Sequence, residues 1–150
     1  MDIFRTNSKL SVQPWDDLLK CTFSLAPALA GNSKGQPKAG EQRYDYDKKI
    51  NITMSIDEML KCSYHLMLLA YNIETKYDKY ADPSKSAHSS GDKKRLTISA
   101  GKESGISIFI SQGDNKCSLT IGNDEAFALA KWLEIKAGYY INNPQLQKEE

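Results

Sequence analysis

The side chains best suited to chemistry in this chain are rings set beside cations. Residues 43–49 read Arg43, Tyr44, Asp45, Tyr46, Asp47, Lys48 and Lys49 without interruption. Drawn out as an extended segment, Arg43 and Lys48 would neutralise phosphates while Tyr44 and Tyr46 stacked on bases. The interleaved aspartates weaken that field, and the same run also suits a solvated edge strand. A second cationic run, Lys93, Lys94 and Arg95, opens another strand. Beside a groove it would steer a polyanion; elsewhere it is an ordinary solvated strand end. Arg5, Lys9 and Lys20 extend the cationic track along the early strands. Trp15, after Pro14, is a stacking platform or a core residue. Phe109 stands between Ser107 and Ser111, opposite the Ile106, Ile108 and Ile110 stripe. A lone ring on a small polar face suits a stacked base with hydroxyls near the sugar-phosphate, or else cover by a neighbouring subunit or the other half of the chain.

Catalytic signatures are missing from the sequence. It has no G-x-S-x-G elbow, P-loop, H-E-x-x-H or Rossmann glycine pattern. His65 lies inside a helical apolar pattern and reads as a packed helix histidine. The pairs Asp57-Glu58 and Asp124-Glu125 fall where helices begin, which explains them without acid–base work. With only His65 and His88, and with no ligand at metal-site spacing from either, the expectation is no metal, no cofactor and no enzyme. Cys21, Cys62 and Cys117 each sit in an apolar stretch and read as buried reduced thiols.

Composition sets the frame. The chain has 150 residues, 40% hydrophobic and 26% charged, with a formal net charge of +1. That fits one globular domain. The charge argues against a histone-like mode and leaves room for stacking, since eight tyrosines, four phenylalanines and two tryptophans are available. No apolar run reaches the length of a membrane span, and Met1–Arg5 lacks a signal pattern, so the expected location is cytoplasmic.

The elements that must position these residues repeat themselves. Ile52-Thr53-Met54-Ser55-Ile56-Asp57-Glu58 is echoed 67 residues later by Leu119-Thr120-Ile121-Gly122-Asn123-Asp124-Glu125. Each copy runs from an alternating strand through a cap into a helix. Ser55 with Glu58 forms a capping box, and Asn123 is the expected cap of the second helix. Alternation also predicts strands around Leu10/Val12, Cys21/Phe23/Leu25, Tyr44–Met54, Leu96/Ile98, Ile106–Ile110 and Cys117–Ile121. The architecture these predict is α+β, a β-β-β-β-α unit over about 1–75 and another over about 76–141. Gly31–Gln42 and Asp82–Asp92 read as surface loops, and 142–150 as a flexible tail.

The chain as a whole resembles the Whirly family of single-stranded DNA-binding proteins. The resemblance rests on Phe4-Arg5-Thr6-Asn7-Ser8-Lys9-Leu10 followed by Pro14, on Leu25-Ala26-Pro27-Ala28, on Arg43-Tyr44-Asp45-Tyr46, on Met54-Ser55-Ile56-Asp57-Glu58, on Asp82-Pro83-Ser84-Lys85, and on the layout of Gly105–Tyr140. It implies two packed four-stranded antiparallel sheets with helices between them. It also implies a homotetramer that holds single-stranded DNA along its sheets with little sequence preference, in replication, recombination or repair. Asn7 departs from the family's lysine motif, which puts assembly into larger particles in doubt. No plant transit peptide is present, which points to a prokaryotic, viral or processed form. Related folds bind RNA, so an RNA-binding or annealing protein using the same surface is an alternative, and a protein-interaction scaffold is another.

Overall fold

The structure, a computed structural model, describes residues 1–29, 43–73, 76–81, 93–100 and 105–148. The expected loops Gly31–Gln42 and Asp82–Asp92, with His88 and the Asp82–Lys85 motif, lie outside the described residues, as do residues 101–104 of the turn expected at Gly101–Gly105.

Period-two alternation builds two sheets. Strands β1 (Asp2–Phe4), β2 (Ser8–Trp15), β3 (Lys20–Pro27) and β4 (Ile50–Met54) pair antiparallel in chain order. Strands β5 (Tyr77–Ala81), β6 (Lys94–Ala100), β7 (Ile106–Gln112) and β8 (Asn115–Ile121) do the same. Each set is followed by one helix, α1 (Ile56–Ala70) and α2 (Asn123–Asn142). The β7–β8 connection is only Gly113-Asp114, with Gly113 at φ 60, a value that glycine reaches without a Cβ penalty.

The registers show which side chains share a face. In the first sheet Leu10 lies opposite Leu25, Val12 opposite Phe23, and Phe23 opposite Ile52. In the second, Leu96 lies opposite Ile110, Ile98 opposite Ile108, and Ile108 opposite Leu119. All of these are buried. The two inward faces pack directly on each other through β3 with β8 and β4 with β7, while α1 lies against both β4 and β6. The helices therefore do not separate the sheets throughout.

Both helices start from a glutamate at the third position. Ser55 caps α1, and Glu58 accepts from the Ser55 backbone N–H at 3.2 Å. For α2 the cap is Gly122 rather than Asn123, which is the first helical residue. Gly122 has no side chain, so only the returning half of the box exists, Glu125 accepting from the Gly122 N–H at 3.0 Å. The 67-residue echo is thus a structural equivalence, with Ser55 and Gly122 at the caps and Glu58 and Glu125 one turn on. It continues inside the helices. Leu66 and Leu133, and Ala70 and Ala137, are buried in matching places. Ser63 donates to the Ala130 carbonyl at 2.7 Å, across that same separation of 67. Positions 67 residues apart thus meet where α1 packs on α2.

The remaining elements tie the ends down. α1 stops at Asn72 in the left-handed region (φ 61), whose successor Ile73 returns its N–H to Leu68. The tail expected to be flexible is held as far as Lys148. Pro144–Leu146 forms a 3-10 turn, Leu146 packs on the core, and the Lys148 N–H donates to the Asp17 carbonyl at 3.0 Å. Cys21, Cys62 and Cys117 are free and buried. Burial pushes the Cys21 thiol up to about 12 and Cys62 well above its ordinary value.

Candidate functional site

Because inward positions are apolar, the functional question is what the opposite faces carry. On β2 the outward residues are Lys9, Ser11, Gln13 and Trp15; on β3 they are Lys20, Thr22, Ser24 and Ala26; on β4, Asn51 and Thr53. Ring and cation groups gather at the two ends of this face.

At one end, Phe4 faces Lys9 across the β1–β2 ladder. The Lys9 ammonium lies 5.1 Å from the Phe4 ring centre and 5.0 Å from that of Tyr46. It also donates to the Tyr46 hydroxyl at 3.1 Å. Phe4 is 57% exposed and Tyr46 41% exposed. Tyr44 holds this end together. It is buried, donates its hydroxyl to the Arg5 carbonyl at 2.6 Å, and places its ring 6.2 Å from Phe4 and 6.5 Å from Tyr46. The extended reading of 43–49 holds for Arg43–Asp45, which bridges back onto β3 through Ala28 and Tyr44. It fails for Tyr46–Lys48, which form a 3-10 turn because Asp45 accepts from the Asp47 N–H. Tyr44 and Tyr46 consequently do not alternate along one strand.

At the other end, Trp15 pairs with Lys20. The indole is 41% exposed, and its N–H donates to Thr22 at 2.9 Å, so the ring leans along the sheet. The turn between them is pinned from α2. Tyr140 donates to the Asp16 carboxylate at 2.7 Å, and Lys136 approaches it at 3.1 Å. The Tyr140 hydrogen bond, ahead of Lys136, holds the Asp16 carboxyl below the usual carboxylate range. Between the two ends lies a floor without charge. Thr22 and Thr53 hydroxyls meet at 2.9 Å, and Ser24 donates to Asn51 at 2.5 Å. These floor residues escape sequence reasoning because hydroxyls on a strand carry no signal until the register aligns them.

The outward face of the second sheet holds the other predicted residues differently. Phe109 is half-buried, flanked across the ladders by Thr97 and Ser118. Arg95 reaches Asp78 with two nitrogens at 3.1 and 3.0 Å, and Thr97 donates to the same oxygen at 2.6 Å. Burial works to raise the Asp78 carboxyl; the Thr97 and Arg95 bonds outweigh it and hold the group low. Lys94 is half-buried, and desolvation lowers it from the usual lysine range. Lys93 is exposed.

One further predicted cation serves the frame. Arg5 pairs with Glu125, donates to the Thr120 carbonyl at 3.0 Å, and so bridges the first sheet to the start of α2. Lys48 is a surface residue 4.0 Å from Asp45. Arg43 is half-buried beside a depression of about 340 Å³ shared with Phe4, Arg5, Thr6 and Tyr44. Of the predicted residues, the structure thus brings Lys9 and Tyr46 together, and Trp15 and Lys20 together, on one face. Phe4 joins the first pair and was not among them, since a three-residue strand shows no period.

His65 stacks on Tyr77 at 5.1 Å, as befits a packed helix histidine. Among the described residues, no group of three or more histidine, cysteine or acidic side chains is placed to hold a metal, and no helix is long and apolar enough to cross a membrane. Comparison of the chain with protein-family models, curated proteins and solved structures finds no match.

Proposed function

We propose that this protein binds single-stranded nucleic acid, DNA ahead of RNA and with little sequence preference, in the manner of the Whirly proteins it resembles. The observation that carries the reading is the outward face of the first sheet. Exposed Phe4, Tyr46 and Trp15, each beside a lysine, flank a floor of hydroxyls and amides. Rings take up any base, because every base has a π-face, and the lysines meet phosphate. An uncharged floor makes duplex a poor ligand, since its bases are already stacked and its binding depends on many phosphate contacts. Roles in replication, recombination or repair follow from exposure of single strands in those processes.

Self-association belongs to the same proposal. Tyr64, Tyr71 and Ile73 at α1, and Ile135 and Ile141 on α2, are exposed apolar groups away from the sheet face. They offer apolar surface through which the homotetramer implied by the resemblance would join.

Fluorescence anisotropy with oligo-dT against duplex of equal length tests the binding. Tight binding of the single strand is expected. With two to three lysines engaged, the logarithm of affinity falls against the logarithm of salt with a slope of about −1.4 to −2.1. Equal affinity for duplex and single strand would defeat the reading.

A further inference from the structure

We propose that the outward face of the first sheet is a two-station site, in which one strand lies along β2 and must be long enough to touch both ends. This rests on the single-strand reading above and adds the ligand's path and minimum length.

The argument comes from placement. Lys9 and Trp15 are on the same side of one strand, six residues apart, which is roughly 20 Å at strand rise. Among the described residues, rings and cations occur together on this face only at those two ends, Phe4/Lys9/Tyr46 and Trp15/Lys20. The rows between them offer Ser11, Ser24 and Asn51, then Gln13, Thr22 and Thr53. A strand crossing the middle of the sheet would meet no ring, and at the β1 edge it would meet the Asp2 carboxylate, which lies opposite Ser11. A strand running along β2 meets stacking and positive charge at both ends and neutral donors between.

Both stations are held in place before any ligand arrives. Tyr44 fixes the first through Arg5. Tyr140 and Lys136 fix the second through Asp16. Little ordering cost therefore falls on binding, and the span between the stations sets the ligand's length. At a stacked spacing of ~3.4 Å per nucleotide, about six steps join them, and a stretched strand needs fewer. The threshold falls at about four to seven nucleotides, within the range of single binding folds.

A length series from dT3 to dT12, read by anisotropy, tests this. Affinity is expected to rise about tenfold or more in one step between about four and seven nucleotides, when the second ring is engaged. Trp15→Ala and Phe4→Ala should each remove the step, and Trp15→Phe should restore it. A smooth rise with length, or a step that survives both Trp15→Ala and Phe4→Ala, would overturn the two-station site and leave single-strand binding standing. Absence of binding at every length would remove both.

Discussion

The two sheets have matching interiors and different exteriors. Inward, the halves correspond residue for residue, Leu10 with Leu96, Val12 with Ile98, Phe23 with Ile108, Ile52 with Leu119. Outward, the same register sets Lys9 against Arg95 and Asp2 against Asp78, yet their states differ. Lys9 lies between two exposed rings, whereas Arg95 is neutralised by Asp78. Where the second sheet has Phe109, the first has Ser24. Packing constrains the shared layer and leaves each solvent face free to take a separate task.

The largest effects should appear where the halves agree. Leu66→Ala and Leu133→Ala remove equivalent, fully buried side chains and should each cost about 2–5 kcal/mol. Chemical denaturation should show one transition in both variants, because the halves share a core. Two separated transitions would divide the chain into independent units.

The outward faces come next. Trp15→Ala should weaken oligo-dT binding by about 1–3 kcal/mol, the value of one stacked base, while Phe109→Ala should cost less than about 0.5 kcal/mol. Equal losses would erase the distinction between the sheets. Asp78→Asn sharpens it from the other side. Removing the carboxylate charge beside Arg95 should steepen the salt dependence of binding by about 0.7 in slope, measured by titration at several salt concentrations. No change would show that pairing is not what silences that face.

A smaller effect concerns acid. Burial works to raise the Glu58 carboxyl, and its hydrogen bonds to Lys79 and Ser55 hold it below the usual glutamate value instead. A depressed carboxyl stabilises the fold above its unfolded pKa and loses that contribution as pH falls through the folded value. Glu58→Gln should therefore be less stable than the parent at neutral pH and lose less stability on acidification below about pH 4. Thermal denaturation across pH reads this, and parallel curves would exclude it.

How much of this could be read from the sequence depends on loop length. The echo between Ile52–Glu58 and Leu119–Glu125 is visible because strand, cap and helix follow without interruption in both copies. Upstream the offset breaks. β7 turns into β8 over two residues, while β3 reaches β4 only after residues 28–49. Equivalences such as Phe23 with Ile108 thus become apparent only through pairing partners. The strands with strong apolar alternation were legible, whereas β1 and β5 at the sheet edges are short and carry mixed residues. Tyr46 was misread as extended because an aspartate bonding to its own backbone outweighs alternation locally. Arg5 looked like a ligand for phosphate, and Glu125, 120 residues away, claims it instead. The pairing of Lys9 with Phe4 and Tyr46 likewise needed three separated segments to meet.

One set of contacts bears on how the molecule stays dispersed. β8 is the last strand of its sheet, and two of its carbonyls turn towards the first sheet. Ser8 donates to Ser118 at 2.8 Å, and Arg5 donates to Thr120. Groups that would otherwise template the addition of a foreign strand are therefore occupied from within the same chain. Losing Arg5 would uncover the Thr120 carbonyl of this margin and cut the tie to Glu125 at the start of α2, while Ser8 would still cover Ser118.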